Sequence, residues 1–408
     1  MNDISKPGFA QLAKEQRLYP QEVPIKISKK PNALQVGVPR ETAKQEKRVP
    51  LKPASVGVLV ASGHEIVIQS EAGLPSNFSD QEYSEAGARI VYSSKEVFEC
   101  STLLKVEPPS LSEIALMKPG STLLSAFQVG KQRVAYLHAI NKKKLIAIGY
   151  EFIQDNEGGL PLVRVMSEIA GSNVMIIAAE HLSSANNGRG IIVGGITGVP
   201  PTKVMILGAG TVAEFAAKAA RGHGTEVRIF DDNIYKMRRL KHTIGHEVYT
   251  STFDASLLGK EIREADVVVG AIWMEKGKSK IIISEDMVMD MKPGSVIIDV
   301  SIDQGGCIET SEMTSHDNPV FIKHGVTHYC VPNIASRVAR TASLAISNIF
   351  MPILQEAGDV GGFDEMIYLK PWLQKGVYAY KGALTNLDIA KRFNLGYKDL
   401  SLFIAARI

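Results

Sequence analysis

The feature that most constrains this chain is a short apolar run, Lys203-Val204-Met205-Ile206-Leu207, that ends directly in Gly208-Ala209-Gly210. An apolar run of strand length, followed by glycines and then by the helical pattern of 211–222, reads as strand, tight turn and helix. The first glycine permits the sharp turn. The second lets backbone amides approach a pyrophosphate, whose charge meets the helix N-terminus. Ala213 stands where a third glycine is usual and is still small enough for helix and strand to pack closely. The next strand, 226–230, ends at the acid Asp231, roughly twenty residues on, and that context makes the glycine motif specific for a dinucleotide. Asp231 is placed to accept hydrogen bonds from the adenosine ribose. Its charge, with that of Asp232, opposes the extra phosphate of NADP, so NAD is the expected cofactor. Arg238 and Arg239 in the following helix are the residues that would favour NADP instead.

With 408 residues the chain is too long for one ordinary core, and two domains are expected. Upstream of the glycine turn, β-rich runs at 34–39, 65–69, 103–106, 122–126 and 145–149 alternate with helical stretches, the trace of a parallel α/β domain. Residues 1–32 are polar, contain Pro20, Pro24 and Pro31, and read as an N-terminal extension. Pro161 ends the first half, and a helix is expected over about 167–185, opened by Ser167. Later strands are expected at 265–271, 295–300 and 328–331, a long helix from 338 toward 355, and a turn with a short helix over 378–395 that packs back on the first domain. The fold class is therefore α/β, with two Rossmann-like domains of mostly parallel sheet. The first, discontinuous domain takes 1–161 and 339–408, and the NAD-binding domain takes 162–338.

A net charge of +3 with acids and bases interleaved gives no concentrated basic face for nucleic acid. The run Asn141-Lys142-Lys143-Lys144 reads as a solvated turn. Cys100, Cys307 and Cys330 show neither disulfide nor zinc spacing, and no metal site is expected. No secretory signal pattern or bilayer-length apolar run is evident, so Asn77-Phe78-Ser79 is a chance sequon and the expected location is cytoplasmic, without a membrane partner.

Chemistry is expected at the carboxyl ends of strands. There Asp303 and Gln304 precede Gly305-Gly306-Cys307, with Asp299 inside the strand before them. Arg40, in the loop after the first strand, is a candidate carboxylate clamp. The histidines show no metal or triad spacing and read as structural, and no serine or cysteine forms a nucleophile elbow.

Taken together, the segments VGVPRET with Arg48 following, GHEIVIQSEAG, AGARIV, LLKVEPP, MSEIAG, PPTKVMILGAGTVA, DMKPGSVIIDVSIDQGGC and HYCVPN resemble the alanine dehydrogenase and transhydrogenase α-subunit superfamily over nearly the whole chain beyond the extension. IDQGGC, HYCVPN and the tail ALTNLDIAKRF look more like soluble alanine dehydrogenase. The resemblance implies reversible, NAD-dependent oxidation of L-alanine to pyruvate and ammonium, an amino-acid or 2-oxo-acid substrate, and a homo-oligomer, often a hexamer. It implies that Arg48 holds substrate and that Asp303 orients water or ammonia. It also implies that Ser167 contacts phosphate, Asp231 the ribose, and Asn333 the region near the nicotinamide.

Two positions depart from the family pattern. Lys105 matches the first lysine of a Lys-Val-Lys-Glu-Pro motif, but Glu107 stands where the substrate-binding lysine belongs. Gln128 stands where a proton-transferring histidine belongs, and glutamine cannot exchange a proton near neutral pH. Lys105 and Glu107, two apart on a strand, would share a face; Lys105 would then pair with Glu107 or replace the missing lysine. These departures keep two alternatives open: a related oxidoreductase with another amino-acid substrate, such as a basic one, and an NAD-binding regulatory protein that has lost catalysis.

Overall fold

The computed structural model describes residues 33–155, 157–245, 248–272 and 281–406, so the extension expected over 1–32 lies outside the described residues. The chain divides into two compact units, Met1–Val163 with Val338–Ile408, and Arg164–Arg337. In chain order the first unit opens with β1 (Gln35–Val38), β2 (Glu65–Gln69), β3 (Arg89–Val91), β4 (Thr102–Leu104), β5 (Thr122–Ser125) and β6 (Ile146–Gly149). The second contributes β7 (Lys203–Leu207), β8 (Glu226–Phe230), β9 (Tyr249–Ser251), β10 (Val267–Gly270), β11 (Val296–Asp299), β12 (Val320–Lys323) and β13 (Val326–Tyr329). The chain then returns to the first unit for β14 (Val377–Tyr380) and β15 (Ala383–Leu384).

The first sheet runs β15-β14-β6-β5-β4-β1-β2-β3, with β1 to β6 parallel. Strand order therefore reverses between β1 and β4, and the loops that follow those two strands flank the crevice where a doubly wound sheet binds ligands. β14 lies antiparallel to β6 and turns back into β15. The tail is thus a hairpin followed by the Leu387–Phe393 helix, where a turn and a helix were expected. Lys381 (φ 48°) and Gly382 (φ 95°) supply the two left-handed residues of a tight hairpin loop.

β3, β9 and β12 had no counterpart in the sequence reading. All three lie at sheet edges and run three, three and four residues. Edge strands are kept short, and three or four residues leave little alternation to read.

The returning segment also braces the loop after β1. In the Ala339–Val360 helix the buried stripe includes Ala342, Ser343, Ile346, Ser347 and Phe350. Ser343 Oγ accepts from the Val49 amide at 2.9 Å and meets Ser76 Oγ at 2.8 Å, while Ser76 Oγ donates to the Lys47 carbonyl at 2.7 Å. Ser347 Oγ accepts from the Lys52 amide at 3.0 Å. The backbone on both sides of Arg48 is thereby fixed by serines distant in sequence.

The second sheet runs β12-β13-β11-β10-β7-β8-β9, parallel except for β12, and reverses order between β7 and β10. Its cores are built from strand residues buried on both faces, such as Val204, Ile206, Val267, Val269, Val296 and Ile298 on one side and Met205, Leu207, Val268 and Ile297 on the other. The helix expected from Ser167 begins at Pro161 and runs to Leu182. Proline at the first helical position is pre-set for the turn and lacks only an amide that would be unpaired there, so it opens the helix and does not merely end what precedes. At 22 residues this helix is long and apolar enough to cross a membrane by length and composition, which corrects the expectation that no such run exists; half of its most apolar stretch is buried inside the protein, as in the core helix of a soluble domain.

Candidate functional site

In the second unit the glycine turn sits at the carboxyl end of β7, beside that of β10. Gly208 has φ 111°, and a Cβ there would lie 2.4 Å from the Ala271 carbonyl oxygen, so no side chain fits. Gly210 caps the Thr211–Gly222 helix, and a Cβ there would meet open space. The first glycine is thus required by the fold, and the second leaves clear the space a pyrophosphate would occupy. Ala213 is fully buried. Asp231, also buried, accepts from the Ala209 amide at 2.6 Å through Oδ2 and from the Asn233 amide at 2.7 Å through Oδ1. Its carboxylate both ties the turn to the next strand and keeps acceptor capacity for ribose hydroxyls. A Cβ on Gly171 would lie 2.4 Å from the Val212 carbonyl oxygen, so the Pro161–Leu182 helix packs closely on the first turns of the Thr211–Gly222 helix. Ser167 lies one turn before Gly171 on the same face of its helix.

After β11, Asp299 is fully buried and organises the loop. It accepts from the amides of Ser301 and Cys307, both at 3.0 Å, and burial raises its pKa above the usual carboxylate value. Asp303 is exposed on the Ile302–Gln304 turn. Asn333 follows β13 with φ 62°, and its carbonyl lies 3.2 Å from His316 Nε2. His328 bonds Thr310 Oγ1 and the Val326 carbonyl and stacks on Phe321, a structural role.

In the first unit the loops after β1, β4, β5 and β6 bring a cluster of charged and polar groups together. Glu41 Oε2 accepts from Lys105 Nζ at 2.5 Å, and its Oε1 accepts from the Val106 amide at 2.6 Å. Burial, opposed by Lys105, pushes the Glu41 carboxyl up to about 7. Arg48 is buried and grips Glu46 through Nε at 2.7 Å and Nη2 at 2.5 Å. Burial works against its charge, but Glu46 overcomes this and raises the guanidinium pKa; the fields of Tyr150 and Glu107 also reach it. Tyr150 donates its hydroxyl to the Val106 carbonyl at 2.7 Å. Gln128 sits at φ 52°, held there by Glu151, which accepts from the amides of Phe127 and Gln128 at 2.8 Å. Burial raises the Glu151 pKa. Gln128 Nε2 then donates to Glu107 Oε1 at 2.7 Å.

The expectation that Lys105 pairs with Glu107 is therefore corrected. β4 ends at Leu104, and both residues lie in the loop that follows, within reach of other loops. Lys105 turns to Glu41, and Glu107 to Gln128. Arg40 is also corrected: it is half exposed and pairs with Glu71 at 2.9 Å, a surface arginine.

The N-terminal domain of the alanine dehydrogenase/PNT family matches residues 37–170, and its C-terminal domain matches residues 174–387. Alanine dehydrogenase 2 of Staphylococcus aureus (strain USA300) is 38% identical over 368 residues, covering 90% of this chain and 98% of that relative. The chain belongs to the alanine dehydrogenase/PNT family. A solved L-alanine dehydrogenase superposes with a TM-score of 0.84 at 34% identity, covering 88% of this chain and 99% of that one. A transhydrogenase from Sinorhizobium meliloti shares the fold, with a TM-score of 0.74 at 24% identity, covering 86% and 99%.

As a member of this family the chain is an oxidoreductase acting on small molecules, and its cofactor is NAD(H). Glu41, Glu46, Tyr150, Glu151 and Ser343 were missed as site residues. Glu41 and Glu151 had a legible signal, because each follows a strand's carboxyl end in the discontinuous unit. Ser343 had none, since its contact spans almost the whole sequence.

Proposed function

We propose that the chain catalyses reversible NAD-dependent oxidative deamination of L-alanine to pyruvate and ammonium. The observation that carries this reading is the gathering of Glu41, Arg48, Lys105, Glu107 and Gln128 at the carboxyl ends of β1, β4 and β5. The same chain carries a Gly208–Asp231 turn fitted to a dinucleotide. Bound NAD supplies the acceptor for the hydride that leaves the substrate α-carbon. Gly208, Gly210 and Ala213 form its pyrophosphate turn, Ser167 contacts its phosphate, Asp231 takes its ribose, and Asn333 lies near its nicotinamide. Arg48 holds the substrate carboxylate, pre-aimed by Glu46 and by the serine brace. Asp303 orients the water that hydrolyses the imine, or the ammonia that forms it. Gln128 cannot move a proton, so proton exchange falls to the Lys105–Glu41 pair, whose carboxyl sits near neutrality at about 7.

The enzyme works in the cytoplasm as a homo-oligomer, without a membrane partner. Three buried free thiols suit a reducing compartment, and Ile192, Ile196 and Val199, 54–62% exposed in one loop, offer an apolar surface to a second copy. A second reading, an oxidoreductase for another amino acid, is favoured by Glu107 and Gln128 standing at the substrate positions. Purified protein with NAD and a panel of amino acids, then with NADH, ammonium and 2-oxo acids, tests both. Turnover with alanine and pyruvate is expected. Turnover confined to another amino acid supports the second reading, and NADH binding with no turnover defeats both.

A further inference from the structure

Two ion pairs in the first unit are internally balanced: Lys105 is committed to Glu41, and Arg48 grips Glu46 with two nitrogens. Glu151 is satisfied by two backbone amides. Glu107 differs. It is 9% exposed, its side-chain hydrogen bond comes from the neutral Gln128 amide, and among the described residues it has no ion-pair partner. A buried carboxylate without a cation is costly unless something supplies the charge. Beside it, Gln128 Oε1 is a second buried acceptor with no partner among the described residues. The amide cannot simply turn over to satisfy that oxygen, because its nitrogen already donates to Glu107 and the left-handed backbone of Gln128 is fixed by Glu151. Two acceptors thus lie side by side, a carboxylate that takes one neutral amide and an amide oxygen that takes no donor among the described residues.

We propose that Glu107 and Gln128 form an ammonium subsite, which holds the α-ammonium of the amino acid in the oxidative direction and the incoming ammonium ion in the reductive direction. A donor-only cation satisfies both acceptors and also brings the charge that Glu107 lacks in contact, and –NH3+ offers three donors. Arg48 lies within electrostatic reach of Glu107, so the loops present a positive and a negative group to one zwitterion, carboxylate to Arg48 and ammonium to Glu107. The inference rests on the amino-acid dehydrogenase reading and assigns that site its nitrogen-binding half.

The test reads binding without turnover. Wild type, Glu107→Gln and Gln128→Met are saturated with NADH, where alanine cannot be oxidised, and titrated with L-alanine and with propionate, its counterpart lacking nitrogen, by NADH fluorescence. Glu107→Gln is expected to weaken alanine by more than about tenfold, Gln128→Met by less, and propionate by less than about threefold in either variant. In steady-state reductive amination the KM for ammonium is expected to rise while that for pyruvate holds. Equal losses for alanine and propionate, no loss for either, or failure of wild type to bind alanine overturns the subsite. Absence of alanine turnover in a wild type that binds alanine through Glu107 defeats the alanine reaction and leaves the subsite standing.

Discussion

Lys105 Nζ and Glu41 Oε2 stand 2.5 Å apart, with the two side chains 1% and 5% exposed. The pair joins the loop after β1 to the residue that follows β4, across the point where strand order reverses. Lys105 had been singled out from its place in a motif, but its partner had not. The pair belongs to the unit proposed to hold the substrate.

Breaking that pair should be costly. Lys105→Met removes the cation facing the buried Glu41, and above pH 7, where that carboxyl is ionised in the wild type, a loss of about 3–5 kcal/mol is expected from urea denaturation. The double variant Glu41→Gln with Lys105→Met should recover part of that loss, giving a non-additive cycle. Additive losses would place the two residues in separate roles.

Glu41 also predicts a pH dependence. Its carboxyl is raised by burial from 4.5 to about 7, so the folded protein keeps a proton that the unfolded chain releases. The contribution to stability is therefore full below pH 4.5 and is lost as pH climbs through about 7. Denaturation midpoints across that window should show the stability of wild type relative to Glu41→Gln falling as pH rises. A rising difference would mean that Lys105 dominates and holds Glu41 ionised.

The glycine turn separates fold from binding. Gly208→Ala drives a Cβ against the Ala271 carbonyl at a left-handed φ, and a large fall in Tm is expected. Gly210→Ala places a Cβ in open space at an ordinary φ of −81°, so Tm should hold while NADH affinity falls by more than about tenfold. Calorimetry and fluorescence titration of the two variants read the difference directly.

Asp231→Ser removes the charge that opposes a 2′-phosphate. The ratio of NADH to NADPH affinity should drop by about tenfold or more, with some loss of stability because the Ala209 amide loses its 2.6 Å acceptor. An unchanged ratio would remove Asp231 from cofactor selection.

Ser343→Ala tests the brace behind Arg48. The Val49 amide loses its buried acceptor, at a cost of about 1–3 kcal/mol, and the KM for the amino acid should rise with NADH affinity unchanged. Equal losses in both would make Ser343 a general packing residue.

The cofactor half was legible because its signals are local. Lys203–Leu207, the glycines and Asp231 lie in one stretch of chain, and each residue type has a single physical reason to be there. The substrate half was only partly legible. Arg48, Lys105, Glu107 and Gln128 could be named from a motif, but their partners depend on where β4 stops and on loops from four strands converging. Strand alternation suggested a Lys105–Glu107 pair, but Lys105 pairs with Glu41 from the loop after β1 and Glu107 with Gln128 from the loop after β5. Glu46 two residues from Arg48, and Ser343 some three hundred residues away, reach the same loop for reasons that no local pattern carries.

The most direct test of the account is isotopic. L-alanine deuterated at the α-carbon is incubated with the enzyme and NAD, and the NADH formed is examined by mass spectrometry. Deuterium on the reduced nicotinamide, with pyruvate and ammonium formed in equal amounts, is the predicted result. No NADH, or NADH without the label, from a protein that binds the cofactor normally would contradict it.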